Sequence, residues 1–157
     1  MVKVNLLVVG KVKEKYFADG ISEYSKRLSR FCDFNIIEVP EENYSKIDEG
    51  TVKIIKEREA ERLKPHLKGY VVALAIEGKK YSSETFSKMI SGLIDKGQGV
   101  ITFVIGGSYG IHEDVKRTAN SLMSFSDMTF PHTLFRLMFT EQIYRAFSII
   151  NGSAYHK

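Results

Sequence analysis

With 157 residues, 43% hydrophobic and 27% charged, the chain has the size and composition of one domain with a substantial core, which excludes disordered and fibrous classes. Its longest apolar runs, such as residues 6–9 and 70–76, fall far short of the roughly 18–20 residues that a membrane helix needs. The net charge of +4 is spread evenly, with 14 basic and 12 acidic side chains in residues 1–68 and 9 and 7 in residues 69–157; an anionic partner is allowed but no basic tail demands one.

Cys32 is the only cysteine, so an internal disulfide and a cysteine-based metal cluster are both excluded. The first residues enter a strand-like pattern directly, with no apolar h-region and small-residue cleavage site, which argues against secretion. The expectation is a soluble cytoplasmic protein.

In chain order, residues 2–9 read as a first strand ending at Gly10. Residues 16–30 read as a helix with Phe17, Ile21, Tyr24 and Leu28 at spacings of three and four. Residues 34–39 form a second strand stopped by Pro40, and residues 41–50 an exposed loop. Residues 51–63 predict a charged helix whose Glu57, Arg58, Glu59 and Arg62 face water. Residues 70–76 are nearly all apolar, as in a strand buried on both faces.

Residues 82–95 are a helix capped by Ser82 or Ser83, and residues 100–105 a further buried strand. The run Gly106-Gly107-Ser108-Tyr109-Gly110 follows. A helix over 112–122, a short strand over 123–126, a long helix over 131–150 and a polar tail complete the chain. Strands alternating with helices imply an α/β protein, a mostly parallel sheet flanked by helices, in a single domain.

Three regions carry candidate chemistry. Glycines after a buried strand let backbone approach a ligand, and open sheets bind ligands at the carboxyl ends of their strands. Here the pattern is G-G-S-Y-G after the fourth strand, which does not meet the dinucleotide fingerprint and suits a tight strand-to-helix turn equally well. The second region is Phe125-Ser126-Asp127-Met128-Thr129-Phe130-Pro131-His132. Pro131 fits a first helical turn. His132 would then lie at the positive end of the helix dipole, as a neutral imidazole that accepts a proton or as a solvent-exposed side chain.

The third region is the last helix and its tail. Phe135, Met138, Phe139, Ile143, Ala146, Ile149 and Ile150 share a broad face, while Leu134 and Leu137 lie off it. That surplus of apolar surface suggests a partner subunit. Arg136, Glu141 and Arg145 interrupt the pattern and suit a solvated face. Tyr155, His156 and Lys157 combine aromatic and basic groups suited to bases and phosphates. The four histidines show no metal-ligand spacing, and no nucleophile elbow or phosphate-binding lysine loop is present.

Taken together and in order, several short motifs resemble one family. They are Val8-Val9-Gly10-Lys11, Ile105-Gly106-Gly107-Ser108-Tyr109-Gly110, and the run from Phe125 to His132. To these are added Glu141-Gln142-x-Tyr144-Arg145-Ala146 and Ala154-Tyr155-His156-Lys157. The chain is similar over its whole length to the RlmH family of SPOUT-class ribosomal RNA methyltransferases.

The resemblance implies an α/β fold with a C-terminal trefoil knot, which sequence rules would not propose. It implies a homodimer that uses S-adenosyl-L-methionine to methylate N3 of a pseudouridine in an intersubunit stem-loop of 23S rRNA, on assembled ribosomes. By position it implies cofactor contacts at Leu74, Gly106, Phe125, Ser126, Asp127, Met128, Thr129 and Phe130. His132 and His156 become the candidates for removing the N3 proton. Arg136, Arg145, Tyr155, His156 and Lys157 become candidates for holding RNA, and neither a metal nor a membrane is called for. The competing readings are a non-catalytic ribosome-associated RNA-binding factor, a SPOUT methyltransferase acting on tRNA, and a nucleotide-dependent oxidoreductase, which the misplaced glycines disfavour.

Overall fold

The computed structural model describes residues 1–157. Five strands form one sheet: β1 (Lys3–Val9), β2 (Asp33–Val39), β3 (Tyr70–Lys80), β4 (Val100–Ile105) and β5 (Ser121–Ser124). Their order is β2-β1-β4-β3-β5, and every strand pairing is parallel. Between them run α1 (Lys15–Leu28), α2 (Glu49–Leu63), α3 (Ser83–Asp95) and α4 (Glu113–Thr118), and α5 (His132–Ile150) follows β5. No helix is long and apolar enough to cross a membrane.

Alternate residues of the strands feed two cores, as the pleat requires. Leu6, Val72, Phe103 and Ile105 meet α1, α3 and α5 on one face; Leu7, Val9, Ala73 and Val104 meet α2 and α4 on the other. The first core holds 18 buried residues and the second 10, so the α5 face carries most of the apolar burial. Cys32 belongs to the larger core, where burial pushes its thiol up to about 12 and leaves it unreactive.

Several boundaries and one burial assignment differ from the sequence reading, each for a local reason. The helix expected from residue 51 begins at Glu49, because the Asp48 side chain accepts from the Thr51 N–H at 2.9 Å while the Thr51 hydroxyl accepts from the Asp48 N–H at 2.7 Å. Strand β3 continues past residue 76 to Lys80 through Gly78; a Cβ there would stand 2.6 Å from the β5 backbone at Leu122 and Met123. The helix expected over 112–122 stops at Thr118. Asn120 then pins the chain to β3, its N–H on the Val71 carbonyl and its Oδ1 on the Val71 N–H, both at 2.8 Å. The last strand accordingly starts at Ser121 and not at 123.

Pro131 is the residue before α5 and not its first helical residue. Glu59, expected in water, is only 3% exposed. Leu137, off the expected face of the last helix, packs on α1: a Cβ on Gly20 would stand 2.8 Å from its Cδ1. Part of the surplus apolar surface is therefore covered within the chain.

Candidate active site at the carboxyl ends of β3, β4 and β5

Ligand sites in parallel sheets lie where the strands end and their loops diverge. Here β3 leaves register with β5 between Leu74 and Lys79. The looped-out segment carries Leu74, Ala75 and Ile76 to the wall of a cleft of about 230 Å³. Ile105, Gly106, Gly107, Gly110 and Ile111 form the opposite wall after β4, and Ser124, Phe125, Ser126, Met128, Thr129 and Phe130 close it after β5. His132 and Phe135 enter from the first turn of α5.

The glycine turn is tight. The Gly110 N–H donates to the Gly107 carbonyl at 3.1 Å, and Gly110 has φ of +86°, which a side chain would oppose. A Cβ on Gly106 would fall 2.7 Å from the Gly110 carbonyl carbon and 2.8 Å from Ile111 Cγ1. Backbone therefore forms the floor of the cleft, and only glycine fits it. On the β5 side, Ser126 holds its own turn, its hydroxyl accepting from the Met128 N–H at 3.0 Å. Phe125 is packed edge-on to Phe130 and Phe135, with centroids 6.0 and 5.0 Å away.

Apart from His132, no lining residue is titratable. Ile76 and Met128, 60% and 75% exposed, stand among the few large apolar side chains left in water, and both line this cleft. Apolar walls, close backbone and no carboxylate suit a ligand gripped by shape and main-chain polar groups. Such a site can promote a reaction largely by positioning the reacting groups.

Seven of the eight residues expected at the cofactor line this cleft: Leu74, Gly106, Phe125, Ser126, Met128, Thr129 and Phe130. Asp127 does not; its carboxylate pairs with Lys80 at the surface. Ala75, Ile76, Ile111 and Ser124 also line it and stand outside the candidate regions, whereas Ile105, Gly107 and Gly110 belong to the glycine-turn motif and Phe135 to the apolar face of the last helix. The apolar run before Gly78 was the available signal for the first two.

The two histidines are not brought together. His132 is in the cleft. His156 has both ring nitrogens occupied in the tail, Nδ1 by Arg145 Nη1 at 3.0 Å and Nε2 by Glu84 Oε1 at 2.8 Å. With the arginine donating to Nδ1, the ring carries its proton on Nε2 and donates to Glu84. Glu84 is held below the usual carboxylate range chiefly by this bond.

The tail is docked on the protein. Tyr155 packs edge-on to Tyr144 at 4.7 Å, lies under the Arg145 guanidinium at 4.8 Å and donates to the Tyr24 hydroxyl at 3.3 Å. Burial, first, and then the Tyr24 hydroxyl push the Tyr155 phenol up to about 12. Arg145 is also bonded to Glu141 at 2.8 Å, and Lys157 is exposed.

Arg136 requires a correction. It was expected to hold RNA, yet it is 3% exposed. Its Nη1 donates to Glu38 at 2.7 Å, and its Nη2 to the carbonyls of Gly10 and Val9 at 3.1 and 3.3 Å. The apolar periodicity of α5 did not reveal this, because the partners lie some 100 residues away in sequence.

Comparison with known proteins bears on the family and the fold. The profile of the predicted SPOUT methyltransferase family matches residues 2–156. The chain is 53% identical over 158 residues to the ribosomal RNA large subunit methyltransferase H of Streptococcus pyogenes serotype M49, covering 99% of each chain. Among solved structures, a probable methyltransferase from Bordetella pertussis superposes with a TM-score of 0.56 at 12% identity, covering 93% of this chain and 95% of that one. A Legionella pneumophila protein solved with the cofactor SAM bound superposes with a TM-score of 0.50 at 11% identity, covering 95% and 66%. These two likenesses speak to the fold; the profile match and the 53% identity place the chain in the SPOUT methyltransferase family, among the ribosomal RNA large subunit methyltransferase H proteins.

Proposed function

We propose that this chain transfers a methyl group from S-adenosyl-L-methionine to N3 of a pseudouridine in the intersubunit stem-loop of 23S rRNA, acting on assembled ribosomes in the cytoplasm. The observation that carries this reading is the coincidence of seven family-implied cofactor positions in one cleft at the carboxyl ends of β3, β4 and β5. When bound, the cofactor supplies a methyl group already activated on a sulfonium.

The residues present fit such a group. Gly106 leaves the space that a Cβ would fill. Leu74, Phe125 and Phe130 offer apolar surface to an adenosine, and the turns at 106–110 and 126–128 bring backbone polar groups to two sides of the same cleft. N3 of a pseudouridine carries a proton that must leave as the new bond forms. His132, the one titratable side chain lining the cleft, is assigned to accept it on a ring nitrogen.

The homodimer belongs to the same proposal, with the partner's tail completing the RNA-binding face, as do the single domain over residues 1–157 and the C-terminal knot. Support for the dimer comes from Tyr16, 70% exposed on α1, and from the half-buried Leu134 and Met138 on the adjoining α5. Arg145, Tyr155, His156 and Lys157 are retained as RNA contacts, with the hydrogen bonds of His156 to Arg145 and Glu84 opening to admit the substrate.

The test uses labelled S-adenosyl-L-methionine with intact ribosomes, free large subunits, naked 23S rRNA and tRNA, followed by nucleoside mass spectrometry. Methylpseudouridine in 23S rRNA, formed best on intact ribosomes, is the expected result. Label confined to tRNA, or no affinity for the cofactor by calorimetry, overturns the reading. For His132→Ala, a full single-turnover rate would remove the base assignment.

A further inference from the structure

A second cavity, of about 520 Å³, lies between α1 and the edge strand β2. Val12, Ile21, Phe34 and Ile36 give it apolar walls, and Lys11, Glu38 and Arg136 give it charged ones. It adjoins the cleft through the first turn of α5. His132 and Phe135 line the cleft, Arg136 lines the groove, and residues 132 and 136 are one turn apart on the same helix face. The rise between them is only about 6 Å.

The charges of the groove are arranged for an anionic ligand at the rim. Glu38 is matched by Arg136 at 2.7 Å, so those two cancel. Lys11 lines the groove and Lys13 follows two residues on, beyond the lining; both are exposed, and neither forms an ion pair, although Glu14 beside Lys13 has a buried carboxylate oxygen without a partner. Their loop is not free to drift. Gly10, with φ of +85°, turns the chain out of β1, its N–H donates to the Val39 carbonyl at 2.8 Å, and its carbonyl is held by Arg136.

Resting on the RNA methyltransferase reading, we propose that this groove binds a nucleotide of the substrate RNA flanking the base presented to the cleft. The base lies against Phe34 and Ile36, and the backbone phosphate meets Lys11 and Lys13. An RNA loop that delivers one base into a cleft must unstack its neighbours. A half-polar, half-apolar groove with an aromatic wall gives a displaced base the stacking surface it has lost. Arg136 serves as a positioning residue, joining the loop that carries the lysines to the helix turn that carries His132.

The experiment measures equilibrium binding of the full-length protein to intact ribosomes against salt, and methylation kinetics separately. The variants are Lys11→Glu, Lys11→Ala with Lys13→Ala, and Ser22→Trp, which fills the groove from α1; Lys96→Ala, at the far end of the sheet, is the control. The double alanine variant is expected to lower the slope of log affinity against log salt by about 1 to 2. Lys11→Glu and Ser22→Trp should raise the ribosome KM about tenfold or more, with cofactor affinity and the unfolding midpoint unchanged.

Wild-type affinity and salt slope retained in all three variants would overturn the groove while leaving the methyltransferase reading intact. A change in sedimentation state in place of RNA affinity would make the groove a contact between protein copies and overturn it equally. A wild-type protein that neither binds nor methylates ribosomes would remove the reading, and the groove with it.

Discussion

Two charged side chains are buried at the same end of the sheet, one on each face, and the protein treats them differently. On the α5 face the Arg136 guanidinium is 3% exposed and meets a carboxylate and two carbonyls through its two terminal nitrogens, with only Nε left without a partner. Burial pulls its pKa down and the Glu38 carboxylate opposes that. On the α2 face Glu59 is equally buried, yet its one hydrogen bond comes from the Glu42 N–H at 3.3 Å and its Oε1 has no partner. Burial is the main cause that pushes its carboxyl above the usual range. A buried charge with several partners acts as a strut, whereas one left nearly alone is a weak point. Here the weak point lies behind the glycine turn, since a Cβ on Gly107 would stand 3.0 Å from Glu59 Oε1.

The largest effect should come from breaking the strut. Arg136→Ala leaves Glu38 and the two carbonyls without their donor, and a loss of about 3 kcal/mol is expected from urea unfolding. Arg136→Lys keeps the charge but cannot reach all three acceptors, so it should recover less than half of that loss. Equal stability of Arg136→Ala and wild type would mean that the charge contributes nothing, and the contrast between the faces would fail.

A second test probes the turn itself. Gly106→Ala places a methyl against the backbone of Gly110, 2.7 Å away, so the turn must shift. Affinity for S-adenosyl-L-methionine, read by calorimetry, should fall about tenfold or more, roughly 1.4 kcal/mol. Gly99→Ala, where a Cβ meets open space just before β4, should leave that affinity unchanged. An unaltered cofactor affinity in Gly106→Ala would show that the turn is not the floor of the site.

This contrast also marks what the sequence could disclose. Short periodic runs disclosed every strand and α-helix and the parallel sheet, because burial on two faces leaves near-continuous apolar stretches such as residues 70–76. They did not disclose the 3-10 turn over Lys64–His66 that follows α2. Boundaries slipped where a polar side chain overruled periodicity, as Asn120 does by bonding both backbone groups of Val71. Most of the cleft after β3, β4 and β5 was legible through resemblance: spacing alone left the glycine turn and the run to His132 open to plainer readings. Arg136 and Glu59 were misread for a shared reason. Each looks like a solvated helix residue until chain segments far away in sequence close over it, and helical periodicity carries no record of such partners.

The third test bears on the weak point and should have the smallest effect. A carboxyl whose folded pKa lies above its unfolded value binds its proton more tightly in the folded state. Its stabilising contribution is complete below the unfolded value of 4.5 and is lost as pH rises through the folded value. Glu59→Gln keeps the shape, removes the ionisation and can still accept from the Glu42 N–H. The variant should match wild type near pH 4 and exceed it by about 1 kcal/mol near pH 8, with urea midpoints diverging between. Because Arg62 also acts on Glu59 and favours its charged form, the opposite outcome has a definite meaning. A glutamine variant weaker than wild type near pH 8 would show that the carboxylate is held by that arginine, making Glu59 a second strut like Arg136.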